Sequence, residues 1–272
     1  MKNLINQLIA AGIEEKEAKK EISILLSEFG KNNLSKIEEI VKERIQTRKP
    51  IQYLLRKAYF MDFSVTVSEK VLIPRPETEI LIEETVKRCR DIWPCVSTAL
   101  DIGTGSGIIP IAICRLIPNI KFVAIDLEKD IIDLAYENAK KYNVDKQINF
   151  KICDLFSDCI HGIFKANNFD LIISNPPYIR VCHGKPMQPE ILHEPKAALF
   201  GTKENESVLT YYERIIELCR RGMPWRVPTL LALEIDPPLV NDLKNLLKKH
   251  NLNNFEIIKD YGKLDRCLFV YL

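Results

Sequence analysis

No stretch of this 272-residue chain is apolar for long enough to span a bilayer, so no membrane-spanning helix is expected. Its eight cysteines, at 89, 95, 114, 153, 159, 182, 219 and 267, include no Cys-x-x-Cys pair. That removes the usual zinc and thioredoxin-like patterns. Cys114 and Cys267 lie inside apolar helix or strand patterns, so reduced, buried thiols are expected. Cys182-His183 is an adjacent pair without ligand spacing, and no metal is expected there. Charge of one sign is not in excess. The 39 basic and 37 acidic residues leave a net charge of +2, which argues against a dedicated nucleic-acid binder. There is no Gly-Lys-Ser/Thr of a phosphate-gripping P-loop, no internal repeat and no low-complexity segment. Met1-Lys2-Asn3-Leu4, soon followed by Glu14, Glu15 and Glu17, reads as neither a signal peptide nor an Arg-rich transit peptide. A cytoplasmic protein is expected.

What is present is an ordinary soluble composition, 46% hydrophobic and 28% charged. The length suits one large α/β domain with a small accessory domain. Over residues 1–55, Leu4, Leu8, Ile22, Leu25, Leu26, Ile37, Ile40, Val41 and Ile45 recur at helical spacing. Gly30 and Asn32-Asn33 interrupt them, so a small helical bundle is expected. It serves either as packing or as a surface that docks a macromolecular substrate. Residues 56–72 contain Phe63-Ser64-Val65-Thr66-Val67, which alternates as a strand should, and read as a hairpin connector. Pro76 then suits the first turn of a helix, with Glu77 and Glu79 at its positive end and Arg75 held between two prolines.

From Ser97 onward strands and helices alternate, and the last two strands can pair antiparallel. This predicts a doubly wound α/β sheet with an antiparallel tail. Residues 179–206 have little periodicity and read as a long, functional loop.

Candidate site residues fall at the ends of successive strands. Gly103-Thr104-Gly105-Ser106-Gly107 follows the first strand and lets a ligand approach the backbone. Asp126 ends the second strand, where a carboxylate can accept both ribose hydroxyls. Asp154 follows the third and can bond an adenine amino group, with Leu155 beside the ring. Ser174-Asn175-Pro176-Pro177-Tyr178 follows the apolar run Phe169 to Ile173. Two prolines cannot extend a central strand, so the chain leaves the sheet at Asn175. The plain reading is a Pro-Pro turn with a capping Asn. The chemical reading is recognition of a planar NH2 group. The Asn175 side-chain oxygen and the Pro176 carbonyl take its two hydrogens, and Tyr178 stacks on its face. The set asks for an adenosine cofactor without a pyrophosphate, which S-adenosyl-L-methionine fits.

The order of Ile73-Pro74-Arg75-Pro76-Glu77-Thr78-Glu79, Asp101 to Gly107 and Asn175 to Tyr178 resembles the HemK/PrmC peptide-chain-release-factor glutamine methyltransferases. Glu194-Pro195 with Ala198-Leu199, and Asp260-x-Gly-x-x-Asp265-Arg266, extend the likeness over nearly the whole chain. The resemblance implies a Rossmann-like, seven-stranded S-adenosyl-L-methionine-dependent domain over 73–272, preceded by the helical domain. It implies N5-methylation of the glutamine in the Gly-Gly-Gln loop of class I release factors. It further implies that Gly103 to Gly107, Asp126, Leu155 and Asn175 contact the cofactor, and that Asn175, Pro176, Pro177 and Tyr178 hold the glutamine. A monomer is expected, without a membrane or stable nucleic-acid partner. Arg56, Ser207 and Asp236 depart from the family pattern. Methylation of a ribosomal-protein glutamine, amino methylation of adenine or guanine, and a silent binding module are the competing readings.

Overall fold

The computed structural model describes residues 1–91, 96–179, 187–202, 207–222 and 229–272. The chain divides into two compact units, Met1–Lys57 with Lys185–His193, and Ala58–Gly184 with Glu194–Leu272.

The first unit holds helices α1 (Lys2–Ala10), α2 (Glu15–Phe29), α3 (Leu34–Thr47) and the short α4 (Ile51–Leu55). Their apolar stripes meet in one core of Leu4, Leu8, Ile22, Leu25, Ile37 and Val41. A buried ion pair sits among them, with Arg44 Nε 3.0 Å from Glu21 Oε1. Arg44 Nη2 also reaches Glu190 Oε1 at 2.9 Å, which fastens the 189–193 turn to α3. Burial raises the Glu21 pKa even with Arg44 beside it, as expected where desolvation outweighs pairing. Arg56 follows α4 with φ 52, in the left-handed region that favours glycine, and its side chain is exposed. Arg56→Gly is therefore expected to stabilise the protein by about 0.5–1 kcal/mol, seen as a higher thermal midpoint. A lower midpoint would mean that the Arg56 side chain contributes more than its backbone costs.

The second unit opens with the hairpin β1 (Lys57–Phe60) and β2 (Phe63–Thr66), then α5 (Pro76–Asp91). Next come β3 (Thr98–Ile102), α6 (Ile108–Leu116), β4 (Lys121–Asp126), α7 (Lys129–Lys141), β5 (Ile148–Ile152), α8 (Cys159–Ala166) and β6 (Leu171–Ser174). The chain ends with α9 (Lys196–Phe200), α10 (Leu209–Gly222), β7 (Leu230–Glu234), α11 (Val240–Lys249), β8 (Phe255–Lys259) and β9 (Asp265–Tyr271). One seven-stranded sheet runs in the order β5-β4-β3-β6-β7-β9-β8. The pairs up to β7 are parallel, and β9 is antiparallel to both β7 and β8. Every residue of β6 and β7 is buried, as parallel strands covered on both faces require.

The strand order reverses between β3 and β6, whose register sets Ile102 opposite Ser174. Such a reversal opens a crevice at the C-terminal strand ends, where α/β sheets bind ligands. The glycine loop leaves β3 on one side of it, and Asn175 leaves β6 on the other. The Asp260-x-Gly-x-x-Asp265-Arg266 stretch is the β8–β9 turn, with Arg266 Nε bonded to Asp260 Oδ2 at 2.9 Å. Two of the three departures sit at helix starts: Ser207 Oγ accepts the Leu209 N–H at 3.3 Å, and Asp236 precedes the turn that leads into α11.

Candidate active site

A cavity of about 200 Å³ opens at this crevice. Gly103, Thr104, Gly105 and Ser106 form one wall, and Asp126, Asp154 and Leu155 a second. Arg75, Asn175, Pro176 and Pro177 close a third.

The glycine loop is held by the neighbouring strand. The Gly103 and Thr104 N–H groups both donate to the Ile125 carbonyl at 2.9 Å. Gly103 and Gly105 have φ 73 and 54, and a Cβ on either would meet nothing within 4 Å. Their backbone is thus bare toward the cavity, which is what close approach of a ligand needs. Gly107 differs. With φ 79 it caps α6, and a Cβ there would lie 3.2 Å from the Ala135 Cβ and the Ile111 Cδ1. It shapes the loop by close helix packing and does not line the cavity. Buried Asn138 of α7 braces the loop by donating to the Ser106 carbonyl at 2.9 Å.

Asp126 accepts from the Gly105 N–H and the Leu127 N–H, each at 2.8 Å. Burial raises its pKa, and the two amides oppose the shift. Asp154 accepts the Phe156 N–H at 2.9 Å, which sets Leu155 against the cavity. Asp101, behind the loop, is fully buried, and the Thr104 hydroxyl beside it favours its ionised form. Burial pushes Asp101 up to about 7. A bare glycine cradle facing the Asp126 and Asp154 carboxylates suits a ligand that brings hydroxyl and amino donors. The donor set therefore fits S-adenosyl-L-methionine.

The turn after β6 is tied down from below. Asn175 Nδ2 lies 3.4 Å from Thr78 Oγ1, and Thr78 Oγ1 donates to Glu234 Oε2 at 2.7 Å. Asn175 Oδ1 is buried and has no partner among the described residues. Tyr178 does not line the cavity: its ring packs on the sheet core and its hydroxyl bonds Glu234. The carboxylate draws the hydroxyl inward and so fixes the ring at the end of the turn. Burial, then the Glu234 charge, raises the Tyr178 pKa. Burial likewise pushes Glu234 up to about 7. Arg75 Nη2 pairs with buried Glu194 Oε1 at 2.5 Å, so its charge is neutralised at the cavity rim.

Sequence reasoning did not single out Thr78 or Glu234. A carboxylate ending the apolar strand Leu230-Leu231-Ala232-Leu233 was the available signal for the second. Cys182-His183 lies outside the described residues. The expectation of reduced cysteines needs one correction: Cys153 and Cys159 form a disulfide, since the 153–159 turn brings their Cα atoms to 6.0 Å. Cys89, Cys114, Cys219 and Cys267 are free and buried. The only potential metal cluster found among the described residues, Glu213, Glu217 and His250, lies on α10 and after α11, apart from the cavity walls.

A family model described as a methyltransferase domain matches residues 97–221. The chain is 32% identical over 235 residues to the release factor glutamine methyltransferase of Thermodesulfovibrio yellowstonii, covering 86% of this chain and 80% of the relative. The chain belongs to the release factor glutamine methyltransferase family. The enzyme of that name from Flavobacterium psychrophilum is 32% identical over 281 residues, covering 97% of this chain and 95% of the relative. Two solved structures share the fold of this family member. The catalytic domain of human METTL16 with a MAT2A 3′UTR hairpin aligns at TM-score 0.56 and 15% identity, covering 76% of this chain and 73% of that one. The N-terminal domain of human METTL16 in complex with SAH aligns at TM-score 0.53 and 14% identity, covering 76% and 74%.

Proposed function

We propose that this family member transfers the methyl group of S-adenosyl-L-methionine to the side-chain amide nitrogen of the glutamine in the Gly-Gly-Gln motif of class I release factors. The observation that carries the reading is the buried, unpartnered Oδ1 of Asn175, a residue that lines the cavity together with the glycine loop. When bound, the cofactor supplies an electrophilic methyl on a sulfonium sulfur. Gly103 to Ser106 take its methionine portion, Asp126 its ribose hydroxyls, and Asp154 with Leu155 its adenine.

A glutamine amide nitrogen is a weak nucleophile because its lone pair is shared with the carbonyl. What the chain must provide is position in a dry pocket rather than a strong base. Asn175 Oδ1 and the Pro176 carbonyl accept its two N–H bonds. Both bonds strengthen as the nitrogen gains positive charge, which favours the transition state over the ground state. Pro177 holds the Pro176 carbonyl still. The surplus proton leaves to water afterwards. Arg75 contributes at the rim, and the helical unit docks the release factor.

The reading includes a cytoplasmic monomer. No helix among the described residues is long and apolar enough to cross a membrane. In a reducing compartment Cys153 and Cys159 would be thiols. Asp154 keeps its place then, because the Phe156 amide holds it independently.

Label from methyl-radiolabelled cofactor is expected to enter a purified class I release factor. It is expected to be absent from a variant whose Gly-Gly-Gln glutamine is replaced by glutamate. Equal label in both would contradict the assigned residue.

A further inference from the structure

We infer that Glu234, acting through Thr78 and Tyr178, is the positioning residue that decides which end of the Asn175 amide faces the substrate. The inference rests on the proposed role of Asn175 as the acceptor for the glutamine NH2. An asparagine amide can point either way, with an acceptor oxygen or a donor NH2 toward the cavity. Only the first orientation serves an NH2 substrate. The second would set two donors against each other.

The hydrogen bonds settle the choice. Glu234 is 1% exposed and ends β7, beside Asn175 at the end of β6. As a carboxylate it can only accept, so Thr78 commits its hydroxyl hydrogen to Glu234 Oε2 at 2.7 Å. The Thr78 oxygen then has only lone pairs for Asn175. It faces an N–H of the amide, at 3.4 Å from Nδ2. Oδ1 is thereby turned to the other side, where it is buried without a partner among the described residues. The same carboxylate bonds the Tyr178 hydroxyl at the far end of the turn. One buried group thus holds both ends of Asn175-Pro176-Pro177-Tyr178.

Protonation would undo this. A neutral Glu234 carries a donor and can give its own proton to Thr78. The Thr78 hydroxyl is then free to donate to Asn175, which favours the reversed amide. Around Glu234 stand Glu77 beside Thr78 on α5, Tyr178, Tyr212 of α10, Asp236, and Arg266 and Cys267 of β9. Glu77 favours the protonated form and Arg266 the ionised one, and burial, the largest influence, favours the protonated form. The methyl transfer itself calls for no base, and because Asp101 is also pushed up to about 7, a pH limb near neutrality reports positioning only if Glu234→Gln removes it.

The test uses the full chain with a class I release factor as substrate. Thr78→Val removes the hydroxyl at nearly constant shape and is expected to lower kcat roughly tenfold or more, the scale of one lost hydrogen bond. S-adenosylhomocysteine binding should stay within about threefold by calorimetry. Thr78→Ser should restore most of the rate. For the unaltered enzyme, kcat should fall as pH drops through about 7, and Glu234→Gln should be slow and lack that limb. Equal losses in Thr78→Val and Thr78→Ser, or a limb that persists in Glu234→Gln, would overturn the inference. Asn175→Ala separates it from the reading beneath. If that variant is slow while Thr78→Val is not, only the positioning role fails. If Asn175→Ala is itself fast, the acceptor role fails first. Where Glu234→Gln does not fold, the comparison of Thr78→Val with Thr78→Ser decides.

Discussion

Asn175→Ala is expected to lower kcat by about 10²- to 10³-fold while S-adenosylhomocysteine affinity changes by less than about threefold. Alanine removes the Asn175 Oδ1 acceptor, which has no other partner among the described residues. The loss falls on the transition state because the N–H donors become stronger only as the nitrogen gains charge. It does not fall on the cofactor, whose glycine cradle is fastened to the Ile125 carbonyl and to Asp126. Asn175→Asp separates shape from hydrogen bonding. It keeps an acceptor but loses the N–H that meets Thr78, and adds a charge close to Glu234, itself pushed up to about 7. It should also be slow, with a rate that shifts with pH. Single-turnover methyl transfer read beside calorimetry distinguishes these outcomes. A rate within twofold of the unaltered enzyme for Asn175→Ala would remove the residue from the mechanism.

Asp126→Ala should act in the reverse sense. The carboxylate takes two backbone amides, from Gly105 and Leu127, and offers its remaining lone pairs toward the cavity. Hydrogen bonds to a charged acceptor contribute about 1.5–3 kcal/mol each, so losing those to the ribose should weaken cofactor binding about 10²-fold. The orphaned Gly105 amide adds to that loss. At saturating cofactor kcat should remain within about fivefold, because Asn175 and its supports are untouched. Asp126→Asn keeps one acceptor oxygen and should fall between. A collapse in kcat at saturation with unchanged affinity would mean that Asp126 acts on the methyl transfer itself.

What the sequence made legible was whatever is written locally. The glycine loop, Asp126, Asp154 and Asn175 each sit at a strand end; β3, β4 and β6 announce themselves by apolar stretches and β5 by the alternation Ile148-Asn149-Phe150-Lys151-Ile152. Parallel pairing brings the ends of β5, β4, β3 and β6 to one edge of the sheet, so four separate signals converge on one cavity. Strand edges were less legible. Phe169 and Asp170 belong to the apolar run, yet β6 starts at Leu171, because the Asp170 carboxylate turns back to bond the Ser97 and Thr98 amides at 2.8 and 2.9 Å.

Contacts set by tertiary register were not legible at all. Thr78 and Glu234 are 156 residues apart, and no spacing links them until α5 packs on β7. The same holds for Arg48 and Glu190, 142 residues apart, which join the 189–193 turn to the helical unit. The bond between the Tyr178 hydroxyl and the buried Glu234 carboxylate was equally invisible, since 56 residues separate them along the chain. Cys153 and Cys159 read as two unrelated thiols because their spacing matches no motif, and only the turn between β5 and α8 brings them together.

The central claim is that this fold presents a glutamine amide to a sulfonium methyl at Asn175. Tandem mass spectrometry of a class I release factor, after incubation with the protein and S-adenosyl-L-methionine, tests it most directly. One added methyl group is expected, on the side-chain nitrogen of the Gly-Gly-Gln glutamine, and far less of it in the same time with Asn175→Ala. A methyl on any other residue, or none at all from protein that binds S-adenosylhomocysteine, would contradict it.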